Sequence, residues 1–462
     1  MVPKFIHETP RETLVLFDTD VLIAGGGPAG ILAAISASKN GVRTALIEEN
    51  SFLGGMAAIG LGMPINNTAP GGIEHGGLTS DFVRLLCQPG PDEALVNETR
   101  IWGKHIWHDP ELLKTKALQF LMECGVKVIL NARVVGGIVE GNIARGLILE
   151  AKGGRKAILS KVLIDCTGDA DASAYLGVEF EISSKKKLQS ANINFVLADV
   201  DRQKSDCFFG ADYEGGAAWE MDILSSHDFV FKQTEWENLI RKARSCGMLA
   251  DVPEGVRIWW YGHALRPRTV IFNAVRVGGY NWLDTEDLTT ALFLVRKQMH
   301  NIVDFLRRFV PGFENSYIQQ SSPRLGVRET RRIIGEYVLN YKDVTNFRKF
   351  PDGVVRCDNP FDNVFPGGER IPLRTLPVGE WFHIPYCSLV PKNTEGLLVA
   401  GRCISTTHEV QTAIRGMGTC MAMGEVTGLA ASLAIKMEIS PRMVPVEHLM
   451  DQLKKQGMTP NG

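Results

Sequence analysis

The chain has no CxxC pair and no Cys/His spacing suited to zinc, although it holds nine cysteines spread singly from Cys87 to Cys420. That excludes a disulfide framework and a zinc module, and points to a reduced, intracellular protein. An excess of charge is also missing: 50 basic residues against 52 acidic ones leave a net charge of −2, without the footprint of a nucleic-acid binder. The only basic runs are Lys185 to Lys187 and the arginines scattered from Arg324 to Arg332. The opening segment MVPKFIHETPRETLVLF lacks the basic region, unbroken apolar stretch and cleavage site of a secretory signal. Two uncharged runs, residues 21–38 and 51–73, are broken by GGGPAG and by Gly, Pro and Asn, so neither reads as a membrane-spanning helix. The expectation is a cytoplasmic protein with no nucleic-acid and no membrane partner. At 45% hydrophobic and 22% charged the composition excludes extended disorder and a fibre. At ~150 residues per domain the length suggests about three domains.

Glycine is what the chain has in excess. It supplies 47 of the 462 residues, above the usual ~7%, and 13 of the 47 fall between residues 25 and 77. The segment DTDVLIAGGGPAGILAAISASKNGVRTALIEE reads as a strand (21–24), a glycine turn, a helix (28–39) and a second strand (44–47) closed by Glu48. Gly25, Gly27 and Gly30 form G-x-G-x-x-G at the strand-to-helix junction. The first permits a tight turn, the second lets backbone approach a pyrophosphate, and the third allows helix and strand to pack closely. The helix N-terminus offers N–H groups to phosphate, and Glu48 stands where a carboxylate accepts hydrogen bonds from a ribose. The following loop, 51–77, is glycine-rich yet apolar, through Met56, Ile59, Leu61, Met63 and Ile65, and is expected to pack along a ligand.

Further on, Asp109-Pro110-Glu111 reads as an N-cap, a first-turn proline and an acid opening a helix to about residue 124. Residues 126–165 alternate apolar strands with turns at Glu140-Gly141-Asn142 and Gly153-Gly154, a β-meander that feeds a buried strand at 162–165. A helix is expected at about 285–309. Near the C-terminus EGLLVAGR gives another buried strand, followed by a small-residue helix from about Gly416 past Ala434. The last twenty or so residues read as a mobile or edge-packed tail.

Three separated segments, strand-GGGPAG-helix-strand-Glu48, VLIDCTGDAD, and LLVAGRCIS with its helix, together resemble the two-dinucleotide-fold flavoproteins of the glutathione reductase-like superfamily. The resemblance is stronger to the FAD-dependent oxidoreductase family, through LGGMAAIGLGMP, VLIDCTGDADASAYLG, PRLGVRETRRIIGEYVL, HIPYCSLVP and LLVAGRCISTTHEVQTAIRGMGTCMAMGEVTG, and covers most of residues 17–435. It implies an α/β fold: a Rossmann-like FAD-binding domain with a β-meander, interleaved with a mixed α+β substrate domain. The implied division is 17–171 and 395–440 for the FAD domain, 172–394 for the substrate domain and 441–462 for the tail.

The resemblance implies FAD as cofactor. Gly25, Gly27, Pro28, Ala29 and Gly30 would hold its pyrophosphate and Glu48 its adenosine ribose. Gly54, Gly55 and Met56 would line the pyrophosphate and ribityl chain, and Val134 would meet adenine through its backbone. Gly168 and Asp169, then Gly401 and Arg402, would lie beside the ribityl chain, Arg402 replacing the aspartate common in the superfamily. The helix starting at Gly416, Gly418 and Thr419 would aim its N-terminus at the flavin's pyrimidine end, with Arg415 stabilising charge on the reduced ring.

A disulfide reductase of this superfamily would carry a cysteine pair after the GG of the FAD loop; GGMAAIGLGMP has none. No second nucleotide fingerprint occurs between residues 176 and 390. The leading expectation is therefore a dehydrogenase or oxidase that takes hydride from a small polar substrate, such as one with a CH–OH group, to flavin N5. The alternatives are reduction of an activated C=C bond and a non-redox binding or RNA-modification role. An alcohol needs a base for its O–H proton, and the candidates are His408 and His383. His75, in the glycine loop, is a candidate covalent flavin tether. Arg324, Arg328, Arg331 and Arg332, at helical spacing, form either an anion site or a salt-bridged face. The expected partners are a small-molecule substrate and an unassigned electron donor or acceptor; no metal is expected, and a homo-oligomer is left open.

Overall fold

The computed structural model describes residues 6, 9–10, 12–87, 96–99, 103–209, 238–252, 259–262, 268–361, 366 and 376–461. Its main sheet has seven strands. In spatial order these are β3 (Lys127–Ile129), β2 (Thr44–Ile47), β1 (Leu14–Ala24), β6 (Gly154–Asp165), β5 (Ile143–Ala151) and β4 (Ala132–Glu140), with β15 (Leu397–Val399) also paired to β6. β6 does two jobs. Its first half pairs antiparallel with β5, closing the meander, its last residues lie parallel to β15, and β1 runs parallel to it along nearly its whole length. Every residue of β2 and β15, and the last six of β1, are buried, which explains their continuous apolar runs. β1 begins seven residues before the expected Val21, because Leu14 to Thr19 extend along the opening half of β6.

Helix α1 (Pro28–Lys39) follows β1 and packs against α7 (Met417–Lys436). The contact explains the small-residue composition of α7. A Cβ on Gly424 would lie 2.0 Å from the Ala29 carbonyl oxygen, and one on Gly428 would lie 2.3 Å from that of Ala33. Ser36 Oγ donates to the Glu425 carbonyl at 2.8 Å, so the two backbones run nearly in touch. Among the described residues α7 alone is long and apolar enough to cross a membrane, and 94% of its apolar window is buried inside this protein.

Glu425, fully buried in α7, takes Leu78 N–H on one carboxylate oxygen and Thr79 N–H and Oγ1 on the other, at 2.7–2.9 Å. It thus caps α3 (Gly77–Leu86), whose own N-cap, Gly76, has no side chain. α4 (Pro110–Glu123) opens as expected, with Asp109 accepting from Glu111 and Leu112 N–H.

A second sheet has four strands in the order β9 (Trp259–Gly262), β10 (Val270–Asn273), β8 (Phe195–Ala198) and β11 (Tyr317–Ser321). It shares a core with the inner face of α5 (Thr285–Phe309), including Val295, Met299, Ile302 and Leu306, with Phe195 and Phe272 stacked at 5.0 Å. Ile333, Leu339, Val344, Val355, Phe382 and Val390 join the larger core of the first sheet instead. The strands here are paired two by two: β12 (Arg331–Ile333) with β7 (Phe180–Ile182), and β13 (Gly353–Cys357) with β14 (Phe382–Pro385).

The C-terminal stretch is tied down. It forms α8 (Val446–Lys455), with Leu449 and Leu453 buried, and then pairs with the 75–77 loop: Gly77 N–H donates to the Gly457 carbonyl and Thr459 N–H to that of His75.

Candidate functional site

A cavity of about 580 Å³ opens where β1, β2, β6 and β15 end, the side of an open α/β sheet at which ligands bind. Its wall includes Gly25, Gly27, Pro28, Ala29 and Glu48, Gly55 and Met56, Gly168 and Asp169, Gly401 and Arg402, and Asn66 with Arg415, Gly416 and Met417. The structure thus brings together residues from three separated stretches of chain, as the FAD reading requires.

The three fingerprint glycines separate by what a side chain would meet. Gly25 has φ +98°, and a Cβ there would sit 2.5 Å from the Cys166 carbonyl oxygen. At Gly30 it would lie 1.8 Å from the Gly25 carbonyl oxygen, so glycine is demanded by helix-on-strand packing. At Gly27 it would meet nothing nearer than the Gly55 Cα at 3.9 Å. The chain's own packing does not require glycine at 27; the cavity lies beside it, and a ligand pressed against that backbone does require it. α1 has no side-chain cap and no acid in its first turn, leaving its N-terminus open to an anion. The residues present therefore fit a dinucleotide's pyrophosphate.

Glu48 is buried. Oε2 accepts Gly26 N–H at 2.7 Å and Oε1 accepts Asn50 N–H at 2.8 Å, which fixes the carboxylate at the cavity wall. The TGD turn is shaped by Asp165. One of its oxygens takes Thr167 N–H and Oγ1, the other Ser173 N–H and Oγ, at 2.7–3.0 Å. Arg402 faces this turn and is held by the protein: Nε donates to the Gly168 carbonyl at 2.9 Å, Nη2 pairs with Asp169, and Nη1 bonds the Val327 carbonyl. It stitches the turn to the 323–330 loop across the cavity wall.

Other assigned residues lie outside the lining. Val134 is buried in β4 opposite Leu149. Gly54, at φ +110°, would push a Cβ to 2.9 Å from Ala58 and 3.0 Å from Leu113. Gly418 abuts the Asn67 carbonyl and Thr419 Oγ1 bonds Asn67 Oδ1, so both support the cavity from behind. Gly30 belongs with them for the packing reason above.

The histidines are corrected more strongly, since among the described residues none lines the cavity. His383 accepts Phe350 N–H on Nδ1 and meets the Pro460 carbonyl at 3.0 Å through Nε2, so both ring nitrogens hold backbone. His408 opens α6 (His408–Ile414) and has Nδ1 2.8 Å from Glu329 Oε1 and 3.1 Å from Ser183 Oγ. His75 is buried with Nε2 3.1 Å from the Asn67 carbonyl, turned to the protein rather than to a flavin.

Burial, with the charge of Arg356 nearby, pushes the His75 imidazole down to about 3. The unfolded chain, titrating near 6.5, therefore binds a proton that the native state refuses. Stability is lost as pH falls from about 6.5 toward 3, at up to ~1.4 kcal/mol per pH unit. Buried His108 is shifted down as well, adding slope of the same sign. Denaturation of His75→Gln should show a shallower loss across that window; an unchanged slope would exclude His75 as its source.

The arginines do not share a helix face. Residues 322–330 run as irregular chain into β12, because Arg331 to Ile333 pair with β7. Arg324 pairs with Glu49 at 2.5 Å, Arg328 donates to the Ser190 carbonyl at 2.6 Å, Arg331 reaches Asp171 at 2.8 Å, and Arg332 pairs with buried Glu329. Arg324, Arg331 and Arg332 are thus ion-paired without sharing a helix face, and Arg324 and Arg328 also line the cavity.

Sequence reasoning missed the far part of the cavity. Antiparallel pairing of β8 with β10 and β11 carries Asn194, Asn273 and Ser322 to one sheet end, where Asn192, Arg276 and Trp282 also line the space. Asn192 Nδ2 bonds Asn273 Oδ1 at 2.8 Å. Asn194 Nδ2 and Ser322 Oγ donate to the Gly60 and Ile59 carbonyls at 2.8 and 2.9 Å. This amide band is docked on α2 (Met56–Ile59), beside the flavin loop. Leu288, Leu292 and Leu325 continue the wall. The signal available in sequence was the run SANIN, an alternation whose polar members flank a buried strand.

The geometry fits a dinucleotide-binding site with an adjoining chamber. The sequence pattern of the FAD dependent oxidoreductase family matches residues 20–453, and the chain belongs to that family. It is an enzyme, and FAD is its cofactor. Digeranylgeranylglycerophospholipid reductase 1 of Methanococcoides burtonii is 23% identical over 200 residues, covering 41% of this chain and 47% of that protein. Thiamine thiazole synthase of Methanococcus maripaludis is 30% identical over 176 residues, covering 34% and 59%. The chain spans about half the length of the curated relatives it matches. A geranylgeranyl bacteriochlorophyll reductase-like structure from Thermoplasma acidophilum is 14% identical, with TM-score 0.46, covering 96% of this chain and 84% of that one.

Proposed function

We propose that this FAD enzyme exchanges hydride between its flavin and a small polar substrate held in the amide-lined chamber. The observation that carries the reading is that Asn192, Asn194, Asn273, Ser322 and Arg276 converge beside Met56 of the flavin loop. Bound FAD supplies a ring that takes up or gives back a hydride. The chain's own contribution is positional. Gly27 and the α1 N-terminus hold the pyrophosphate, Glu48 the ribose, and the α7 end, with Arg415, receives the flavin's pyrimidine edge. The amide band orients the substrate's polar group, while Trp282, Leu288 and Leu292 exclude water from the chamber's far wall. The same reading places the chain in the glutathione reductase-like superfamily, as two interleaved units. It makes the protein cytoplasmic, in keeping with the lack of a disulfide among its described cysteines.

No described histidine stands in the lining, where the carboxylates are Glu48, Glu49 and Asp169. Digeranylgeranylglycerophospholipid reductases among the relatives support a second reading, reduction of an activated C=C bond. Anaerobic mixing of oxidised holoenzyme with alcohols and amines, and of reduced holoenzyme with enoates, followed by flavin absorbance, separates the two. One class should react, and Asn273→Leu should raise its half-saturating concentration at least tenfold with FAD content unchanged. Saturation indifferent to that substitution would overturn the chamber as the substrate site.

A further inference from the structure

α7 begins without a cap of its own. Gly416, its N-cap residue, has no side chain, and no acid stands in the first turn. The cap comes from far away in the chain: the Asn66 carbonyl accepts Gly418 N–H at 2.9 Å and Asn66 Oδ1 accepts Met417 N–H at 3.3 Å. Asn66 is held in place by its neighbour. Asn67 sits at φ +60°, receives Thr419 Oγ1 on Oδ1 and donates Nδ2 to Asp358, and its backbone fills the space a Cβ on Gly418 would need. Asn66 itself lines the cavity with Arg415, Gly416 and Met417, its Nδ2 directed at Asn359 Oδ1 at 3.4 Å.

We propose that Asn66 is a positioning residue that sets the flavin's reduction potential by governing how the positive end of α7 meets the ring. The proposal rests on the reading that the ring lies at the α7 end. Of the two N–H groups that the helix start commits to Asn66, Gly418's goes to the backbone carbonyl and Met417's to the carboxamide, so this side chain stands between one helix N–H and the negative charge of a reduced flavin.

The charge variant Asn66→Asp pulls two observables apart. A carboxylate accepting Met417 N–H at the start of the helix favours the fold, but it opposes the negative charge a flavin gains on reduction. The melting temperature of N66D holoenzyme should therefore be unchanged or raised. Its reduction potential, read against a reference dye, should fall by at least tenfold in the ratio of reduced to oxidised flavin, about 30 mV for a two-electron couple. A merely structural cap would leave the potential alone. Arg415→Gln serves as control, since loss of a cation at that end also lowers the potential. If R415Q shifts it and N66D does not, the role of Asn66 is overturned while the ring's placement stands; if neither does, the placement itself is overturned. Should N66D not fold, Asn66→Ser keeps an acceptor for the helix but deletes the amide donor, and should lower the ratio at least threefold; an unchanged ratio overturns the proposal.

Discussion

Replacing Arg356 with methionine is expected to cost the protein a large part of its stability. This guanidinium is fully buried, yet among the described residues no carboxylate pairs with it directly. It donates instead to a ring of oxygens: Nη1 to the Pro70 carbonyl at 2.9 Å, Nη2 to those of Ile73 and Glu74 at 3.0 and 2.8 Å and to Thr459 Oγ1 at 2.9 Å, and Nε to the Thr459 carbonyl at 2.8 Å. Five bonds from one planar fork thus join β13, the 70–74 turn of the glycine loop and the C-terminal tail. A charged donor contributes roughly 1.5–3 kcal/mol per bond, and a buried acceptor left without a donor costs about 1–3 kcal/mol. Methionine fills part of the volume and satisfies none of these oxygens. The expected loss is ~4 kcal/mol or more, against a typical total of about 5–15 kcal/mol. Arg356→Lys should recover little of it, because one ammonium cannot span oxygens arranged around a fork. Removal of residues 457–462 should act in the same direction, since His383 also holds Pro460. Urea denaturation of the apoproteins measures all three, and a loss below about 1 kcal/mol for R356M would show that the ring of bonds is dispensable.

Gly30→Ala is expected to be nearly as severe, for a reason of shape alone. The added methyl would stand 1.8 Å from the Gly25 carbonyl oxygen and 3.3 Å from the Cys166 side chain. Gly25 cannot move aside, because its left-handed backbone is itself pressed against the Cys166 carbonyl. Nor can α1 retreat, because Ala29 and Ala33 already touch the glycine face of α7. Over-packing of that kind costs about 1–3 kcal/mol where neighbours can relax and more where they cannot. The variant should accumulate as insoluble or FAD-free protein, with an apoprotein midpoint well below wild type; a normal midpoint would mean that helix and strand have room the structure does not show.

The cofactor end of the site was legible in the sequence because it is local. Strand, turn, helix and strand occupy 35 residues from Leu14 to Glu48, and each glycine's duty follows from its place in that unit. The remainder depends on partners distant in sequence. Arg356 meets Pro70 and Thr459, Glu425 caps a helix that begins at Gly77, and Asn66 caps one that begins at Met417. No periodicity announces such pairs. The histidines misled for the same reason: position near a cofactor segment says nothing about which way a ring points, and His383 and His408 turn toward backbone and Glu329. The arginines from 324 to 332 have helical spacing, but strand pairing with Phe180–Ile182 decides the backbone there. The chamber escaped because its asparagines lie at strand ends that only the antiparallel register brings side by side.

The central claim is that the cavity beside Gly27 is where FAD's pyrophosphate lies against bare backbone. The direct measurement is FAD affinity and apoprotein stability of Gly27→Ala, made side by side. A Cβ at this position meets only the Gly55 Cα at 3.9 Å, so the apoprotein should denature within about 1 kcal/mol of wild type. FAD affinity should nevertheless fall at least tenfold, because the methyl occupies the approach of the phosphates to the α1 N-terminus. Wild-type affinity in a normally folded Gly27→Ala protein would contradict the claim and place the cofactor elsewhere.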